Sequence, residues 1–112
     1  MEKLTKDILS ELDSLTDKEK ESLLDELRKK VDEIDTEIIK LLAERAKHSR
    51  MIGRIKSALN LPDFSSEREK KILANLFDNL PKDLPKAHLI RIYERILDES
   101  RVIQREGRKQ AR

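Results

Sequence analysis

Four polar residues lie on or beside apolar helical stripes, and together they offer a grip on an anion. Arg45 and Lys56 are eleven residues apart, which at 100° per residue is about 20° from three full turns, so on a helix they share a face. Their Cα atoms are then roughly 16 Å apart, and two long side chains leaning together can clasp a small dianion between them. Ser100 and Gln104 sit at i, i+4 and continue the line of Tyr93 and of Ile96 or Leu97, so a second apolar stripe turns polar at one level. A binding cavity inside a helical bundle has this character, with uncharged walls and a few convergent polar groups. The chemistry on offer is recognition of an anionic small molecule. His48 has no carboxylate or nucleophile paired with it in the sequence, and a packing role is assigned to it.

The element that must carry Arg45 and Lys56 is the stretch Leu23 to Leu59, whose apolar residues follow a seven-residue repeat. Leu24, Val31, Ile38, Ile52 and Leu59 fill one seam position, and Leu27, Ile34, Leu41 and Ile55 fill the other. Arg45 and His48 are the exceptions. A sustained 3.5-residue period predicts a long helix that buries one stripe against other helices. At 1.5 Å per residue it runs on the order of 55 Å, too long for one small core, so it needs a partner along much of its length. A guanidinium in that stripe is expensive to bury unless an anion meets it.

Composition narrows the class. The chain has 112 residues, 43% of them charged, 37% hydrophobic and 3% aromatic, a lean aliphatic make-up that fits a helical bundle better than a sandwich or barrel. Net charge is +2 with both signs interspersed, so no basic block marks a nucleic-acid footprint. No apolar run is long enough to cross a bilayer, and the N-terminus lacks the apolar core of a signal peptide. Without Cys, disulfides and thiolate metal sites are excluded. These features predict a cytoplasmic protein that works without metal or cofactor and binds neither nucleic acid nor membrane.

Along the chain, Leu4, Ile8, Leu9 and Leu12 predict a short amphipathic helix over Met1 to Asp13, followed by a break at Ser14 to Thr16. Thr16 to Glu19 is a capping box, and the long helix starts there and continues to about Leu59. Gly53 inside it costs only about 1 kcal/mol and lets another helix or a ligand come close. Asn60 to Ser65 is a turn. Ser66 to Glu69 forms a second capping box, followed by Ile72, Leu73, Leu76, Phe77 and Leu80 on one face of a shorter helix. Pro85 suits the first turn of a third helix, striped by Leu89, Ile92, Tyr93, Ile96, Leu97 and Ile103. Gly107 and the basic tail Arg108 to Arg112 are expected to fray. Each candidate residue also has a plainer role: Arg45 as a register-setting polar residue, Lys56 and Arg68 as surface charges, Glu69 as a cap, and Ser100 and Gln104 on an exposed helix edge.

Taken together, these residues resemble a known family. Leu27 to Asp35, then Leu41 to Arg45, then Ile52 to Lys56 resemble the long first helix of the all-helical chorismate mutases. Glu67-Arg68-Glu69 with Ile72-Leu73 is similar to the start of their second helix, and Ile96 to Gln104 to the active-site part of their third. The similarity covers about Leu24 to Glu106 and agrees in order, type and spacing across three helices. It implies an all-α, three-helix fold, intertwined as a homodimer, with the mutase domain over 23–107, flanked in this chain by an N-terminal arm over 1–22 and a tail over 108–112.

The activity implied is the rearrangement of chorismate to prephenate, on the way to Phe and Tyr. By resemblance, Arg45 and Arg28 grip the substrate carboxylates with help from Ser100, while Lys56 and Gln104 donate to the ether oxygen. Glu69 accepts from the ring hydroxyl, and Arg68 supports Glu69 and the local positive field. Arg28 lies seventeen residues before Arg45, roughly 25 Å along the helix and about 100° around it, so it cannot reach a ligand held by its own Arg45. The family pattern sends it into the partner's site. Two departures stand out: Ser65 occupies a position where the family often has Asp, leaving only a backbone contact available, and the N-terminal arm is absent from the minimal domain. Two rivals remain, an isochorismate pyruvate-lyase on the same fold and a helical dimerisation module without catalysis.

Overall fold

A computed structural model describes residues 11–110. The helix expected over Met1 to Asp13 falls mostly outside the described residues. Leu12–Ser14 forms a single 3-10 turn, and Leu15 is extended, which gives the expected break. Three α-helices follow: α1 (Asp17–Ala58), α2 (Ser66–Asp78) and α3 (Lys86–Gln110). No described helix is long and apolar enough to cross a membrane. Contacts divide the chain into two compact units, Met1–Leu41 and Leu42–Arg112.

Local chemistry sets the helix ends. The Thr16 N–H donates to Glu19 Oε1 at 3.1 Å, and the Glu19 N–H donates to Thr16 Oγ1 at 3.1 Å, the reciprocal box read from the sequence. The backbone hydrogen bond from Thr16 holds the Glu19 carboxyl below its usual range. α1 stops at a Schellman motif. Asn60 takes the left-handed conformation with φ 54°, the Leu61 N–H donates to the Lys56 carbonyl at 2.8 Å, and the Asn60 N–H donates to that of Ser57 at 3.2 Å; Asn is one of the few residues that tolerates this backbone.

Two boundaries differ from expectation. α2 is capped by Ser65, whose Oγ accepts from the Arg68 N–H at 3.2 Å, one residue before the expected Ser66. α3 does not fray at Gly107 but continues through Gln110; residues 111–112 lie outside the described residues. The reason is tertiary: Gly107 is buried against the Arg50 carbonyl, and Arg108 Nη1 donates to the Leu61 carbonyl at 2.7 Å. Arg108 Nε also lies 3.0 Å from Asp63 Oδ1, an electrostatic contact without an aligned hydrogen bond. The basic residue expected in a loose tail thus clamps the turn between α1 and α2.

Within the second unit, α1 does not use its apolar seam to meet α3. It uses Ser49, Gly53 and Lys56, spaced four and three residues apart, a stripe whose first two residues are small. Ser49 and Gly53 are the buried residues of α1. A Cβ on Gly53 would overlap the Gln104 carbonyl, so α3 reaches the α1 backbone only because position 53 has no side chain. α2 packs its Ile72, Leu73, Leu76 and Phe77 face inward, with all four half-buried. Lys86 Nζ lies 4.5 Å from the centre of the Phe77 ring, adding a cation–π contact worth about 0.5–1 kcal/mol.

The buried apolar residues among those described are Leu89 and Leu97. The heptad seam is meanwhile 42–63% exposed, from Leu24 to Leu59 and in both units. Natural cores bury far more than this, because ordering a chain costs on the order of 1–2 kcal/mol per residue.

Replacing Gly by Ala inside a helix ordinarily stabilises by about 1 kcal/mol. Gly53→Ala should do the opposite, lowering stability by about 1–3 kcal/mol through overpacking on Gln104, measured by urea unfolding. Arg108→Ala should cost about 1 kcal/mol and speed limited proteolysis in the 59–65 turn.

Candidate active site

The close approach at Gly53 brings polar side chains together. Ser49 Oγ and Ser100 Oγ are 3.0 Å apart and buried, four residues before Gly53 and Gln104 respectively. On the other side, Lys56 Nζ donates to Gln104 Oε1 at 2.9 Å and to the Asp63 carbonyl at 3.2 Å. An ammonium has only donors, so Gln104 must turn its carbonyl toward Lys56. Its amide NH2 is then left to donate elsewhere, beside the one remaining Lys56 hydrogen.

Beside this pair opens a cavity of about 660 Å³, within the range for small-molecule sites. It belongs to the second unit, and α1, the turn after it, α2 and α3 all contribute. Arg45, Lys56, Ser65, Arg68, Glu69, Ser100 and Gln104 all line it. Seven of the eight residues singled out from the sequence are therefore brought together. The eighth, Arg28, belongs to the first unit, where it is exposed on α1. Ile52, Ile72 and Leu97 supply apolar wall. His48, assigned a packing role, is instead exposed on the cavity wall.

The charges are unevenly engaged. Glu69 is held by Arg101, whose Nε and Nη2 donate to Oε2 and Oε1 at 2.7 and 2.5 Å. Arg68, expected in that supporting role, lines the cavity with no ion-pair partner among the described residues. Arg101 also donates to Asp98 Oδ1 at 3.3 Å, and its guanidinium carbon lies over the Phe64 ring, 4.5 Å from the centre. The hydrogen bond to Glu69 raises the Arg101 pKa above its ordinary value. Arg45, Lys56 and Arg68 meanwhile face a cavity whose one remaining acid, Asp63, is paired with Arg108. The site carries a net positive field and suits an anion.

Three participants escape a reading by periodicity: Ser49, Phe64 and Arg101. Ser49 lies at i+4 from Arg45 and i−4 from Gly53, a spacing that marks it once Gly53 is taken as a helix contact. Arg101 is three residues from both Asp98 and Gln104 and looks like half of a surface ion pair. Phe64 in the turn gives no signal by itself.

Comparison with known proteins gives a consistent picture. The profile of the family described as chorismate mutase type II matches residues 27–105. A bifunctional chorismate mutase/prephenate dehydratase of Aquifex aeolicus is 44% identical over 79 residues, covering 66% of this chain and 22% of that protein. The chain thus spans under a quarter of that relative. A chorismate mutase of Methanocaldococcus jannaschii is 36% identical over 89 residues, covering 74% of this chain and 85% of the relative. A solved structure of a conserved hypothetical protein from Pyrococcus furiosus aligns with TM-score 0.62 and 36% identity, over 74% of this chain and 96% of its own. With the profile spanning most of the chain and all three helices in the expected order, the chain belongs to the chorismate mutase type II family.

Proposed function

We propose that this chain catalyses the rearrangement of chorismate to prephenate. The observation that carries the reading is the Lys56–Gln104 pair in a cation-lined cavity. Two relatives named for this activity, at 44% and 36% identity, support it. The reaction is intramolecular. The ether C–O bond breaks as a C–C bond forms between the enolpyruvyl group and the ring, with no group transferred, and it requires neither nucleophile, metal nor cofactor. The flexible side chain has to be held over the ring, and the charge growing on the ether oxygen has to be stabilised.

In this reading, Lys56 and the Gln104 amide donate to the ether oxygen. Because the two side chains are already hydrogen-bonded to each other, little reorganisation accompanies the charge shift. Arg45 binds one carboxylate, assisted by Ser100, and the partner subunit's Arg28 binds the other. Glu69 accepts from the ring hydroxyl, Ser65 offers its backbone, and Arg68 adds to the positive field. The active form is a homodimer in which second copies cover each other's exposed α1 seams. Two identical 3.5-period stripes are suited to pack together. The enzyme is read as cytoplasmic.

Purified protein should convert chorismate to prephenate, followed by the loss of chorismate absorbance. Release of pyruvate from isochorismate without prephenate formation would overturn the assignment. Lys56→Ala should lower kcat/KM by about 10²–10³-fold, or ~2.7–4 kcal/mol, while stability falls by only about 1–2 kcal/mol, the cost of its two hydrogen bonds. Mixing inactive Arg28→Ala and Arg45→Ala chains should restore activity through heterodimers with one intact composite site. No recovery despite demonstrated subunit exchange would exclude shared sites.

A further inference from the structure

Arg101 is the most fully engaged side chain in the cavity wall, yet its position in the sequence assigns it no part in the chemistry. It projects from α3 and meets Glu69 on α2 through two parallel N–H to oxygen bonds, at 2.7 and 2.5 Å. Its guanidinium carbon lies over the ring of Phe64 in the turn between α1 and α2, 4.5 Å from the ring centre, and Asp98 steadies its remaining edge at 3.3 Å. The Arg101 and Glu69 side chains are 33% and 20% exposed, so water competes only partly for the bond. One residue thus ties three segments of the wall to one carboxylate.

We propose that Arg101 is a positioning residue that presets Glu69 to accept the hydroxyl of the substrate ring. This deepens the preceding assignment and rests on it. A carboxylate has about four lone-pair sites. A two-pronged guanidinium occupies one on each oxygen, leaving the others directed away from Arg101. Without that grip, Glu69 at the first turn of α2 can rotate about its own side-chain bonds, and substrate must order it on binding. The ring hydroxyl takes no part in bond breaking or making, so the contact is present in ground and transition states alike. Its loss then appears in KM more than in kcat.

The fork geometry is specific to arginine. Lysine keeps the charge but offers one point of attachment and no plane to lie on Phe64. Methionine keeps much of the stem's packing and removes every bond.

The test is steady-state kinetics on chorismate with thermal melts in parallel. Arg101→Met should raise KM about tenfold with kcat within about threefold of wild type. Arg101→Lys should recover part of the loss. In a Glu69→Gln background, Arg101→Met should raise KM no further, because the group it positions has already been altered. Phe64→Leu, which removes the platform but retains bulk, should raise KM by a smaller factor and keeps the proposal testable if Arg101→Met does not fold. A fall in melting temperature and active fraction with KM unchanged would make Arg101 a structural strut and overturn the proposal, as would KM effects that simply multiply in the double variant. Wild-type protein that leaves chorismate untouched would overturn the substrate assignment and this proposal with it; turnover in wild type with KM unmoved in the variants overturns this proposal alone.

Discussion

The contact of Gly53 with the backbone of Gln104 is the constraint on which the site depends. Side chains normally hold helices 8–10 Å apart between axes. Where one helix presents no side chain, the other can approach closely enough for short polar groups to meet. Ser49 and Ser100 hydrogen-bond at one side of that contact, and Lys56 and Gln104 at the other. Hydroxyls are short, and two of them at 3.0 Å require closely apposed backbones. Gly107 repeats the device against Arg50 one turn further along α3, so the helix is seated at two points and its register on α1 is set.

Around that junction the chain divides its charged groups between two tasks. Arg101 and Arg108 are occupied with acids of the same wall, Glu69 and Asp63, and fix α2 and the turn before it. Arg45, Lys56 and Arg68 are left facing the cavity. A cation held near neutral polar groups and apolar walls acts more strongly on a bound anion than it would in water, where the solvent reorients around each charge. The same separation explains why no residue of the wall needs to ionise or react for the proposed rearrangement. Fixed donors in a sheltered volume suffice.

The thin core has the same origin as the exposed seam. α1 gives α3 a stripe of small residues and keeps its large aliphatic residues on a different face. A helix that spent its leucines and isoleucines on its own chain would have nothing to offer a second copy. In the proposed homodimer the seam becomes interior, and Arg45, one of its two polar interruptions, borders the cavity. A charged residue in an otherwise apolar repeat is tolerable there because a ligand carboxylate can meet it.

Much of this was legible in the residues alone. Helix formation is local: capping boxes, turn chemistry and hydrophobic period act over four to seven residues, so the sequence determined three helices, their order and most of their limits. It also determined that Arg45 and His48 interrupt the apolar repeat of α1, that Lys56 shares a face with Arg45, and that Ser100 and Gln104 continue an apolar line of α3, because periodicity exposes an exception wherever it falls. The partners of those residues were decided by the tertiary structure. Ser65 displaced Ser66 as the cap through a backbone geometry that two adjacent serines do not distinguish, and Arg108 became a clamp because the Leu61 carbonyl and Asp63 lie within its reach. Glu69 fell to Arg101, thirty-two residues away in the chain, and not to its neighbour Arg68. A local pattern fixes the face on which a side chain lies, whereas a salt bridge between helices depends on how far apart they sit and how they are rotated, which no pattern within one helix specifies.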